Sequence, residues 1–306
     1  MISRYNTRMK LTFITEQNNI PAYDVLASKG MSSLLLKRIR LHGQLLVNQQ
    51  PARMKDPLFI GDLVEIVYKT DHIDFAMRPD HQIHIYFEDE WIIVCEKPAD
   101  LVTHPSWQHM DDSLITRLSE HPLHPVMRLD RETSGLIVIA KNGFAHHFIS
   151  NAPMRKEYLG IIHGVLTPAI GTINAPIGRA SDSIMLREVR DDGRRAVTHY
   201  QTEKVFPEKN LSLVRFKLET GRCHQIRVHC LHNGCPIVGD GLYGICSLAY
   251  SNESILGVKN EKKITRQALH AADLGFIHPV SHEDLSFKSP LPDDMRRLIE
   301  SSPRLT

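Results

Sequence analysis

Apolar residues run without a break from Leu136 to Ala140 (Leu-Ile-Val-Ile-Ala), with the length and β-branched content of a buried strand. Elsewhere the spacing alternates. Ile83, Ile85 and Phe87 fall at every second position, Glu88-Asp89-Glu90 turns, and Trp91–Glu96 returns, which predicts a hairpin. Residues 155–164 alternate into another strand, and Ala196–Phe206 and Leu211–Glu219 read as two more. Near the start the period changes. Ala22–Ala27 reads as a short helix closed by Lys29-Gly30, after an extended lead-in over 11–20. Ser32 or Ser33 caps a second helix that runs through Leu41 and stops at Gly43. Gln44–Asn48 then predicts a short strand, Pro51-Ala52 a turn, and Gly61–Val67 a strand of period two. Short helices are expected over Ser113–Ser119 and Phe144–Ser150, from about His224, and after Pro292. Three stretches lack a period: 70–82 reads as a linker, 177–195 as a loop beside a cleft, and 245–263 as an exposed insertion.

The 306 residues are enough for about two domains. Hydrophobic content of 42% and charged content of 24% are ordinary for a globular protein. No apolar run approaches a membrane span, and the basic MISRYNTRMK is followed by an alternating stretch rather than a signal-peptide core. A cytoplasmic protein is expected, without a membrane partner. Five cysteines at irregular spacing argue against a disulfide framework. Net charge is only +2, but residues 1–80 hold 11 Lys+Arg against 8 Asp+Glu, and the rest 26 against 27. The N-terminal part is the more basic, by a small margin.

The chemistry concentrates in two blocks. Before the Leu136 run stands MRLDRETSGL, with Asp130 between Arg128 and Arg131 on a loop feeding a core strand. Taken alone, an Asp beside two arginines is as readily a surface ion pair or turn cap. The second block is TGRCHQIRVHCLHNGCPIVGDGLYG, Thr220–Gly244. Its helix carries Arg227, which needs an acid partner if buried. The His and Cys residues from Cys223 to Cys235 invite a metal reading, but neither CxxC nor HExxH spacing occurs, so no metal is expected. A Gly-rich phosphate loop and a dinucleotide fingerprint are missing too, and no cofactor is expected.

RLDRETSGL resembles the RLDxxTSG signature of the RluA-like pseudouridine synthases. Thr220–Gly244 is similar to that family's TGRxHQIRxH…GxPIxGDxxYG motif, and KPADLVTHP (Lys97–Pro105) to its KPAGLxxHP segment, with Asp100 for the usual Gly. An Asp tolerates the positive φ that such a Gly signals. His104 in that segment reads as structural. Arg155–Gly164 resembles the family's KxYxAxVxG strand, and LHAADLGFIHP with SPLP its closing block. The resemblance implies an α+β pseudouridine synthase fold: a central mixed, mainly antiparallel sheet with flanking helices. It implies isomerisation of uridine within RNA, with Asp130 as the catalytic carboxylate and Arg227 as its partner. Tyr158 would stack on the uracil and is a candidate for the later proton removal. Arg128 would fill the space the flipped nucleotide leaves, and Leu269 would flank the pocket. Met127 departs from the family, which usually has His there. Asp130 either attacks the anomeric carbon or removes a ribose proton.

Residues 14–70 resemble the small αL RNA-binding module first described in a ribosomal small-subunit protein. That implies an RNA-binding domain over 1–75, a linker over 76–82 and a catalytic domain over 83–306. Lys37, Arg38, Arg40 and Arg53 would contact RNA, although charges on a helix are usually just solvated. Arg187, Arg190, Arg194 and Arg195 suit phosphate contacts. The partner expected is large-subunit ribosomal RNA, with transfer RNA as the alternative, and the protein is expected to be a monomer. Two other classes compete. A non-catalytic ribosome-assembly factor would not need Asp130, Tyr158 and Arg227 together. A carboxylate hydrolase needs a second placed acid or a metal.

Overall fold

The structure, a computed structural model, describes residues 8–69, 83–105, 112–119, 121–181, 183, 185–247, 260, 261 and 263–300. The linker expected over 70–82 lies outside them, as does most of the 245–263 insertion. Of its described residues, Ile245 and Asn260 are buried and Cys246 and Lys263 are exposed.

The N-terminal unit is a four-stranded antiparallel sheet in the order β1-β6-β3-β4, with two helices. Its strands are β1 (Arg8–Ile14), β3 (Gln44–Val47), β4 (Gln50–Pro51) and β6 (Leu63–Lys69). A separate two-residue pair joins β2 (Ile20–Pro21) and β5 (Pro57–Leu58). Helices α1 (Ala22–Ser28) and α2 (Ser33–His42) fall where the period predicts. The Ser32 hydroxyl caps α2 by accepting from Leu35 N, and Gly43 ends it. One expectation fails. The turn is at Asn48-Gln49, both at positive φ (50° and 68°), and Pro51 belongs to β4. Asn tolerates that backbone region, and a two-residue hairpin requires it.

The larger sheet has ten strands, with the path β12-β15-β16-β11-β17-β10-β8-β7. In chain order these are β7 (Ile85–Glu88), β8 (Ile92–Lys97), β10 (Ser134–Ala140), β11 (Met154–His163), β12 (Ile170–Asn174), β15 (Val197–Phe206), β16 (Leu211–Leu218) and β17 (Leu269–Ile277). β9 (His124–Pro125) pairs with β10, and β18 (Asp284–Lys288) with β17. Only β10 and β17 run parallel, so the sheet is mixed and mainly antiparallel, as expected. Helices α3 (Leu114–Leu118), α4 (Gly143–Asn151), α5 (Gln225–His232) and α6 (Asp293–Ile299) flank it. The expected loop over 177–195 is instead a hairpin, β13 (Ile177–Arg179) with β14 (Arg187–Val189). Its strands are too short and polar for their period to show.

The central strands are buried on both faces, which explains their unbroken apolar runs. On β10, Ile137 and Ile139 join the core on the side of α5, while Leu136, Val138 and Ala140 face the opposite core. β8 divides the same way, Ile93 and Cys95 against Ile92 and Val94. The second core continues through Phe144 and Ile149 of α4 into Leu26, Leu36, Ile39 and Ile66 of the N-terminal unit. Gly30 abuts the Phe148 ring there, with only 3.0 Å between that ring and the place a Cβ would take.

Candidate active site

Asp130 sits in the loop before β10, and this loop is fastened from two sides. From one side comes the Lys97–Pro105 segment. Lys97 is wholly buried, and its ammonium donates to the carbonyls of Pro98 (2.7 Å), Leu101 (2.7 Å) and Arg131 (3.0 Å). Burial lowers its pKa to about 7, and the Asp130 charge opposes that shift. Thr103 Oγ1 donates to Leu129 O and accepts from Leu129 N. Asp100 has φ +61°, as the Gly-to-Asp exchange implied, and its carboxylate takes Arg131 Nε at 2.7 Å. Arg131 is therefore an exposed partner of Asp100, not of Asp130.

The other side is β17 and the residues leading into it. Gln267 Nε2 donates to Thr133 Oγ1 at 2.5 Å, and Arg266 Nη1 to Glu132 O at 3.3 Å. Thr133 N closes the turn onto Asp130 O. Gly135 has φ +114°, and a Cβ on it would lie 2.3 Å from Ala271 O. Only glycine permits this approach of β10 to β17.

Asp130 Oδ2 accepts from Arg227 Nη1 at 2.8 Å, the pairing the resemblance implied. The rest of the guanidinium is held elsewhere. Arg227 Nε and Nη2 both donate to Asp240, each at 2.7 Å, in a two-pronged pair. The Asp240 side chain has no exposure, that of Arg227 5%, and that of Asp130 28%. Asp240 also accepts from the backbone N–H groups of Leu242 and Tyr243, so it cannot swing away. The Tyr243 ring lies 5.0 Å from Arg227 Cζ, a cation–π contact. Burial opposes the Arg227 charge, but the bonds and charges of Asp240 and Asp130 outweigh it and raise the pKa.

His224 stands beside this group at φ +57°, its Nε2 4.0 Å from Asp130 Oδ2. Burial lowers its pKa, against the pull of Asp130. Tyr243 Oη accepts from Arg187 N at 2.8 Å and lies 2.9 Å from His224 Nδ1. Burial pushes the Tyr243 phenol up to about 12, so it stays protonated and is free to donate to Nδ1. That assignment leaves the Nε2–H of His224 facing Asp130.

Asp130, His224 and Arg227 line one cleft of about 930 Å³, together with Arg128, Lys156, Tyr158 and Leu269. Tyr158, on β11, is buried, and burial above all raises its pKa, with the Asp130 charge adding to the shift. Leu269 is buried at the start of β17, and Arg128 is exposed. Met127 also lines the cleft and is packed against both cores, so an apolar side chain fits there. His104 lines the cleft while its Nδ1 is 2.9 Å from Pro105 O. The four N-terminal candidates are not part of the cleft. Lys37, Arg40 and Arg53 are exposed and Arg38 half-buried. Arg190 and Arg195 are engaged with Asp192 and Glu219. Among the described residues no group of three or more His, Cys, Asp or Glu is placed to hold a metal ion.

Sequence reasoning did not single out Lys97, Asp240, Tyr243 or Gln267. Asp240 and Tyr243 stand within the GDGLYG stretch, where a lone acid among apolar and glycine residues was the available signal. Lys97 closes an apolar strand at an inward position.

A clamped carboxylate in an open cleft on a mixed sheet defines a class of protein that comparison with known chains resolves. Residues 91–232 match the RNA pseudouridylate synthase family. An RNA pseudouridine synthase of Bacillus subtilis, uncharacterised, is 36% identical over 285 residues, which is 89% of this chain and 95% of the relative. The ribosomal large subunit pseudouridine synthase D of Pseudomonas aeruginosa is 36% identical over 269 residues, covering 84% and 83%. A solved human structure, RNA pseudouridylate synthase domain containing 4, superposes with TM-score 0.55 at 26% identity, covering 72% of this chain and 95% of that one. The chain belongs to the RNA pseudouridine synthases, and it is an RNA-modifying isomerase.

Proposed function

We propose that the protein isomerises specific uridines of large-subunit ribosomal RNA, with Asp130 as the catalytic carboxylate. The observation that carries this is the clamp: Asp130 is part-exposed in the cleft while Arg227, fixed by Asp240, holds one of its oxygens at 2.8 Å. The other oxygen is left for the substrate. The relatives named for the ribosomal large subunit support the choice of RNA.

The reaction breaks the bond from uracil N1 to ribose C1′ and forms one from C5 to C1′. The C5 proton leaves and N1 gains one, so the uridine changes neither mass nor oxidation state. Asp130 either attacks C1′ or takes a ribose proton, and both roles require it ionised beside a cation. The target nucleotide must leave its stack to reach the cleft. Arg128, exposed at the rim, fills the space it vacates. Tyr158 and Leu269 flank the base. The Tyr158 phenol is kept protonated by its burial, so it stacks or donates at neutral pH before it serves as a base.

The N-terminal unit is the RNA-binding module of this reading, with Lys37, Arg38, Arg40 and Arg53 on phosphates and a linker at 76–82 before the catalytic domain. The protein acts as a monomer in the cytoplasm, where its five cysteines, outside any disulfide, stay reduced. Mapping pseudouridine in total RNA of cells with and without the gene tests the substrate. Sites lost from large-subunit RNA support the reading, and sites lost from transfer RNA alone replace it. Complementation with Asp130→Asn restores no site; a restored site refutes the role of Asp130.

A further inference from the structure

β11 carries three consecutive charged residues, and two of them have partners. Arg155 Nε donates to Asp273 at 3.0 Å and Nη2 to Ser286 Oγ at 2.6 Å. Glu157 accepts from Arg215 Nη1 at 3.3 Å. Between them, Lys156 is half-buried and points into the cleft, on the strand face it shares with Tyr158 two residues on. Among the described residues no carboxylate, carbonyl or hydroxyl comes within bonding distance of its ammonium. The two acids lining the cleft, Asp130 and Glu132, do not reach it, and Asp130 is already engaged by Arg227.

A cation drawn partly out of water without a compensating partner is unfavourable. Burial alone acts on Lys156 and lowers its pKa. The missing acceptor must then come from whatever fills the cleft. The nearby cations are placed differently: Lys97 gives all three N–H groups to carbonyls, Arg227 gives three of its five to two carboxylates, Arg222 Nε donates to Arg195 O, and Arg128 is exposed to water. Lys156 has the same charge, inside the cleft, with its hydrogen bonds unspent.

We propose that Lys156 Nζ binds a phosphodiester of the RNA strand beside the nucleotide that enters the cleft. The assignment rests on the reading of the cleft as an RNA site. A phosphate contact of this kind fixes the strand and leaves the bond-making steps to Asp130. It therefore governs the RNA concentration needed for turnover and not the rate at saturation. It also displaces one counterion, which makes it visible as a salt dependence.

The test is steady-state pseudouridine formation on an unmodified in vitro transcript of large-subunit ribosomal RNA, with the RNA concentration varied at each point of a salt series. Lys156→Met should raise the half-saturating RNA concentration about fivefold at 0.15 M salt and make its log–log salt slope shallower by roughly 0.7–0.9. The saturated rate should stay within about twofold of wild type, and thermal stability should hold or rise, since an uncompensated charge is gone. Lys156→Arg should restore the slope. An unchanged slope in a folded, active Lys156→Met overturns the proposal, as does a loss confined to the saturated rate. A wild-type enzyme that leaves this transcript unmodified refutes the ribosomal substrate instead, and the same series on a transfer RNA transcript then decides about Lys156.

Discussion

Arg227 has five N–H donors, and the structure spends two on Asp240 and one on Asp130. A guanidinium bound to Asp130 alone could pivot. Bound at two points by a carboxylate without exposure, it presents one N–H in a fixed direction. Asp240 is accordingly a positioning residue. Asp240→Asn should lower kcat by about a hundredfold, because small misplacement of a reacting group costs that much, while KM for RNA moves little. Steady-state kinetics check it: an unchanged kcat with Asp130 still required would remove the positioning role. A second buried group gives the protein a pH limit. His270 lies between Ser134 Oγ (2.9 Å) and Ser289 Oγ (3.0 Å), and burial above all, then Arg266, lowers its pKa to about 4. It is neutral in the fold and titrates near 6.5 when unfolded, so the unfolded chain binds the proton first. Its contribution is whole above about pH 6.5 and is lost as pH falls toward 4, on the order of 3 kcal/mol. Thermal melts between pH 7 and 4 should show a fall that His270→Gln flattens; parallel curves for the two proteins would contradict it.

The loop from Met127 to Ser134 owes its shape to the strand it enters and to a neighbouring loop. Lys97 and Thr103 bind its carbonyls from one side, and Gly135 lets β10 meet β17 on the other. Gly135→Ala should destabilise the protein by at least ~3 kcal/mol, from a left-handed backbone and a direct clash with Ala271. Asp100 gives a contrasting case. Asp100→Gly relieves a positive φ worth about 1–2 kcal/mol and forfeits an exposed pair with Arg131 worth about 0–1 kcal/mol. It should match or slightly exceed wild-type stability, while Asp100→Val, β-branched and unpaired, should fall below both. Urea denaturation of the three proteins ranks them, and Asp100→Val as the most stable would refute the account.

The N-terminal unit does not sit on the enzyme as a separate bead. Its helices contribute Leu26, Leu36 and Ile39 to the core that lies under β8, β10 and α4. Deleting residues 1–75 should then have two effects. RNA affinity or site selection should weaken, and the catalytic part should expose an apolar face, measured as aggregation at micromolar concentration or increased dye binding. A monodisperse truncated protein with wild-type RNA affinity would count against both the module and the shared core.

Much of this was legible in the order of residues, for a local reason. The helices α1 and α2, the Ser32 cap, the Gly43 stop and the Asp100 backbone are set by neighbours a few positions away, and each was found where expected, whereas the alternation of Ile83, Ile85 and Phe87 is broken by a register shift that leaves Ile85 exposed. Asp130 could be picked out because its loop carries a dense motif, and the Arg227 contact followed from resemblance alone. The short polar β13–β14 hairpin gave no period, and the turn at Asn48-Gln49 was misplaced because Pro51-Ala52 is the stronger-looking signal. What folding alone decided is which charges meet. Arg131 could have served Asp130 and instead serves Asp100; Arg227 serves two acids; Lys156, between two paired neighbours, serves none among the described residues. Ion pairing depends on distances of a few ångströms between segments as far as 118 positions apart, and no spacing along the chain encodes those distances before the sheet brings β10, β11 and β17 together.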